Sequence, residues 1–390
     1  MVAPFSLADL FKTVSPPTDY AAASLISSRK AQLRKRRWSW RSALPPLMCV
    51  TLAACLTSPS SVLAQERPPT GRTAPLFDFH SNFWVNLHQV LFHEAKLRVA
   101  KADRGLRIVP PLSAAGMSKE DEVVWNAAIS FYVVHFGNRQ QFGPLGDDRL
   151  IDINDDLAGQ PDEGAHLNPA GLPPDLVAIL RNSAVIYRKY WWRAHDQSNE
   201  NWIASQKERV RDLGPKLAAA MTKDLRQQWP AAPIRVDVSY HVVALGSALT
   251  TLGPPHTTFS SSDPSTQGLS GFELLFHEAS HTFADTLMHA LSAEGRAQRK
   301  DVADLWHATL FYTSGVELRR VLPPPEQASF TPYGYRYGVY RGRWQSYRPL
   351  LETNWQPYLD GKVDFADAVH SMVAGLPQRG QEDQKANRER

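Results

Sequence analysis

The sequence predicts an α+β fold, predominantly helical, with a small sheet placed ahead of one strongly apolar helix. Three observations predict it. Apolar residues recur at helical spacing through long stretches of the first half of the chain. One later run, Ile234-Arg235-Val236-Asp237-Val238, alternates apolar and polar instead, the period of a strand. Downstream of it Phe272, Leu275, Phe276, Ala279, Phe283, Leu287 and Ala290 return to helical spacing.

The chain opens on a basic segment. Residues 1–64 hold eight of the 43 Lys/Arg and two of the 39 Asp/Glu, so the remainder carries 35 against 37 and sits near −2. That balance removes the electrostatic support for nucleic-acid binding. Arg34-Lys35-Arg36-Arg37 followed by the apolar run Ala43–Leu56 reads as a secretory leader, with Val62-Leu63-Ala64 as its cleavage site. The apolar run is too short and too interrupted by Pro45-Pro46 for a membrane span. An exported protein, periplasmic or secreted, is expected. Leu52-Ala53-Ala54-Cys55 also resembles the lipobox of bacterial lipoproteins, which would place a lipid anchor at Cys55. Both cysteines, Cys49 and Cys55, fall in this leader, so cleavage after Ala64 leaves no disulfide and no cysteine nucleophile.

A Pro-rich linker spans 65–76. From Asp78 to about Ala102 the spacing of Phe79, Phe83, Trp84, Leu87, Val90 and Leu91 predicts a helix. His80, Trp84 and His88 share one of its faces, which we read as a packed aromatic helix. Glu120–Phe136 predicts a second helix. Gly137–Pro174, rich in Gly, Pro and Asp, predicts irregular surface, and its acidic residues lack the spacing of a calcium loop. Asp175–Trp229 is helical again, with the core aromatics Tyr187, Tyr190, Trp191 and Trp192 and a break at Gly214-Pro215. The half-exposed strand Ile234–Val238 follows, then two candidate strands, His241–Leu245 and His256–Ser260, with Gly253-Pro254-Pro255 as a turn.

The chemistry is concentrated in Phe276-His277-Glu278-Ala279-Ser280-His281, an H-E-x-x-H sequence. Residues four apart stack on one helix face, so His277 and His281 can reach one ion. Glu278 projects from the adjoining face, where its carboxylate can take a proton from water at that ion. Ser270 and Glu273 predict a capping box that starts the helix after Gly268, and the pattern runs to Gly295. A second helix, about Asp301–Val321, carries His307, which follows His281 by enough chain to turn and run back. Through H-E-x-x-H the chain resembles the zincin superfamily of zinc metallopeptidases.

That resemblance implies Zn²⁺ on three protein ligands, Glu278 as general base, and a peptide or protein substrate paired to the edge of a small sheet. The sheet should precede the motif helix, as the strands do here. His307 is the expected third ligand, with Glu317 and Asp304 as alternatives. The metzincin spacing is absent, because Leu287 stands where its third histidine belongs. Tyr333–Arg341 offers tyrosines and arginines that could stabilise an oxyanion. The region 230–376 is thus the zincin-like catalytic part, 77–229 a helical part, and 377–390 a disordered tail; helices are expected at 344–359 and 364–376. A different reading keeps the motif structural, in an envelope binding or scaffold protein whose Trp/Tyr-rich stretches hold a ligand.

Overall fold

The computed structural model describes residues 75–103, 116–140, 148–244 and 247–377. The leader with its cleavage site and Cys55, nearly all of the linker, and the tail from residue 378 lie outside the described residues. The fold is α+β and predominantly helical, as expected. Strand β1 (Phe77–His80) leads into α1 (Phe83–Asp103), α2 (Lys119–Phe136), α3 (Asp148–Ala158), α4 (Pro174–Tyr187) and α5 (Arg193–Leu225). Strands β2 (Ile234–Ser239), β3 (Ala248–Leu252) and β4 (Pro255–Ser260) follow, then α6 (Gly268–Ser280), α7 (Asp285–Gln298), α8 (Leu305–Val321), short helical pieces between 324 and 359, and α9 (Phe365–Ala374). Among the described residues no helix is long and apolar enough to cross a membrane.

Several local expectations are corrected. Residues 77–80 form a strand, because Asn82 caps α1 by accepting from the N–H groups of Trp84 and Val85 at 2.9 and 3.0 Å. His80 therefore leaves the helix face that carries Trp84 and His88. Within Gly137–Pro174, predicted irregular, α3 forms on the buried stripe Leu150, Ile153, Asn154 and Leu157. Gly214-Pro215 does not break α5. Gly214 lies against Leu76 and Phe276, and this packing offsets the loss of one helical hydrogen bond at Pro215. His241–Ala244 is not a strand, and the sheet's third strand is instead Ala248–Leu252.

The sheet order is β1-β2-β4-β3, with β1, β2 and β4 parallel and β3 antiparallel to β4. β2 alternates as predicted, yet both of its faces are covered and Arg235 alone of its residues is partly exposed. Ile234, Val236 and Val238 point into a core built with α5, α6, α8 and α9. A second core joins α1, α2, α3 and α4. The change of sequence character at Pro230 does not divide the two, since β1 and α5 contribute to the first core.

The other face of β2 is polar and buried under α3. Asp237, with no exposed surface, takes two hydrogen bonds from Arg235 at 2.6 and 3.0 Å and one from His256 Nε2 at 2.8 Å. His256 Nδ1 meets Asp155 of α3 at 3.1 Å, and Thr251 of β3 donates to the same oxygen at 2.7 Å. Burial disfavours a charged His256, but the two carboxylates outweigh it and push its pKa up to about 9. Burial likewise opposes the Asp237 charge, and His256 and Arg235 hold its pKa below the usual range. Because His256 is raised, its contribution is complete below about pH 6.5 and fades as pH rises through about 9. Urea denaturation from pH 6 to 10 should show that loss, and His256→Gln should remove the part of it that falls between about pH 6.5 and 9 while costing about 3 kcal/mol at pH 6.

Candidate metal centre

The motif helix is shaped by burial. Every residue of α6 from Ser270 to Ser280 is buried, so its polar members must find protein partners. The predicted capping box does not form, because α6 starts at Gly268, which takes a positive φ of 56°, and Ser270 and Glu273 lie inside the helix. Glu273 instead accepts from the Tyr333 N–H at 2.7 Å. The single helix predicted through Gly295 is two. A tight 3₁₀ turn, His281–Phe283, ends α6 and Asp285 starts α7. His281 still sits one turn beyond His277.

The first turn of α8 brings His307 to the same place. His277 Nε2 lies 3.3 Å from His281 Nε2 and 3.2 Å from His307 Nε2. The three donor atoms fall within 4.8 Å of one another. Tetrahedral zinc with Zn–N bonds of about 2.0–2.1 Å places neighbouring nitrogens about 3.3 Å apart, which the two separations from His277 match. Burial pushes the His277 pKa well down, helped by the neighbouring imidazoles, and pushes that of His281 to about 4. Both rings are therefore neutral at pH 7, the form that offers a lone pair. Phe311 stacks on His277 at 3.5 Å between centroids, and Trp306 and Trp344 flank His307 at 5.0 and 5.1 Å. His281 and His307 keep partial exposure and form the accessible side.

Glu278, 6% exposed, is held by β3: the Thr250 hydroxyl meets Oε2 at 2.5 Å and the Glu278 carbonyl at 3.0 Å. Burial raises its pKa to about 7, against the lowering effect of Thr250. Sequence reasoning missed Thr250, whose neighbour in space is 28 residues away in the chain.

The alternatives to His307 are not brought to the cluster. Glu317 lies ten residues further along α8, about 15 Å by helical rise, and binds Arg320 at 2.6 Å. Asp304 accepts from Trp344 Nε1 at 3.0 Å, and that indole lies beside His307. Of the tyrosines in 333–341, Tyr333 packs on the ring that covers His277. Its ring stacks on Phe311 at 5.8 Å, and burial, with the charges of Asp263, Tyr337 and Glu278 adding, raises its hydroxyl pKa.

Compared with known protein families, with curated proteins and with solved structures, the chain finds no match in any of the three. The functional reading therefore rests on the site itself.

A buried carboxyl whose pKa is raised destabilises the fold once it must ionise. The folded chain holds the Glu278 proton to about pH 7, while the unfolded chain releases it near 4.5. Stability is lost between those values and stays low above them. In the metal-free chain at pH 8, Glu278→Gln should raise unfolding free energy by about 3 kcal/mol in urea titrations, and the gain should vanish at pH 4.

Proposed function

We propose that this chain is an exported zinc-dependent metallopeptidase, hydrolysing peptide bonds with Glu278 as general base and His277, His281 and His307 as metal ligands. The observation that carries the reading is the meeting of three Nε2 atoms at 3.2 and 3.3 Å beside a buried carboxylate. When bound there, zinc would polarise the scissile carbonyl and lower the pKa of an attacking water from about 15.7 toward about 7.

The remaining work falls to the chain. Thr250 fixes Oε2 of Glu278, which leaves Oε1 to accept the water's proton and pass it to the leaving nitrogen. A pKa of about 7 suits both halves of that transfer, since the group must gain and lose the proton at neutral pH. β3 is the edge strand beside Glu278, where an extended peptide would add by main-chain pairing. Export is supported by the basic, then apolar, leader.

Elemental analysis of the full-length protein tests the metal first. About one zinc per chain is expected, lost in His277→Ala, His281→Ala and His307→Ala. Glu278→Gln should keep the zinc and lose hydrolysis of a fluorogenic peptide mixture by about 10²- to 10⁴-fold. A parent that takes up no zinc after reloading would sink the proposal and favour the scaffold reading.

A further inference from the structure

A cavity opens at the surface of the second core, on the outer side of α4. It has a volume of about 480 Å³. Trp84, Leu167 and Val185 give it an apolar lining, with Val185 69% exposed. Its polar rim is basic: Arg181, Arg188 and Lys189 border it, together with His166, and no carboxylate does among the described residues.

The charges are not equivalent. Lys189 is matched by Asp121 at 2.8 Å. Arg181 and Arg188 hydrogen-bond only backbone carbonyls among the described residues: Arg181 that of Leu167 at 3.0 Å, and Arg188 those of Gly164 at 2.9 Å and Glu163 at 3.3 Å. Arg188 also sits over the Phe83 ring at 4.1 Å. These contacts orient both guanidinium groups without neutralising them. Of five N–H groups in each, Arg181 commits one and Arg188 two. Trp84, 3% exposed, borders the cavity with its ring and adds to the apolar wall.

The geometry points to a binding site for an amphipathic organic anion, its carboxylate or phosphate held by Arg181 and Arg188 and its apolar body laid against Leu167, Val185 and Trp84. Guanidinium forks take either oxyanion in paired hydrogen bonds, and the apolar wall excludes a bare inorganic ion as the preferred ligand.

Calorimetric titration of the full-length protein at low ionic strength tests this with 3-phenylpropionate, phenyl phosphate, neutral 3-phenylpropanamide and inorganic phosphate. Saturable binding of one aryl anion at one site per chain is expected, at least about tenfold tighter than the amide or inorganic phosphate. Whichever aryl anion binds tighter names the oxyanion. Arg188→Gln should weaken that binding about tenfold or more; if this variant does not fold, the acid-against-amide comparison in the parent decides alone. A metal at the histidines would itself attract a carboxylate, so the titration is repeated with His281→Ala, where binding should persist. Failure of both aryl anions to bind, equal binding of the amide, or loss in His281→Ala with retention in Arg188→Gln would overturn the site.

Discussion

Three imidazoles can share one point only if α6 and α8 run very close together, and that approach is governed by Gly315. A Cβ at this position would lie 2.6 Å from Pro332 and 2.9 Å from the Glu273 carboxylate. With hydrogen there instead, Glu273 fits between the helices and takes the Tyr333 N–H. Burial pushes its pKa up to about 8, so at neutral pH the wedge between the helices is a neutral acid. His277 then faces His307 from one turn further along α6, with Phe311 filling the space behind. The candidate centre is thus a product of helix packing.

The sheet supplies the other support, and it does so with both faces. Neighbouring residues of a strand point to opposite sides. Thr250 reaches Glu278 on the α6 side, and Thr251 reaches Asp155 on the α3 side. The proposed base and the ion network of Arg235, Asp237, His256 and Asp155 therefore hang from consecutive residues of one short strand. Burying that network is expensive unless each charge is met, and each is.

What the sequence made legible was local. His277 and His281 are related by one helical turn, so their meeting needs nothing but the helix, and the alternation in β2 marks a strand whatever covers it. His307 was legible through chain length, since the connection allows α8 to return. What lay hidden depends on distant partners. The polar face of β2 looks solvent-facing until α3 is laid over it, and α3 sits in a stretch whose Gly, Pro and Asp content reads as loop. β1 continues an apolar spacing that suggests helix, and only the Asn82 cap separates the two. Thr250, in a run without alternation, gives no local sign that it meets Glu278.

The register of the first strand carries a kinetic consequence. Phe77 pairs with Ile234, so β1 closes a loop of 157 residues onto β2, whereas β3 and β4 are joined by a two-residue turn. Loop-closure entropy makes the long pairing the slower one to nucleate. The residues of the histidine cluster and its support, from Thr250 to Tyr333, lie within a far shorter span. As the chain folds, that span can therefore organise while β1, and the helical core threaded between β1 and β2, is still searching for its edge.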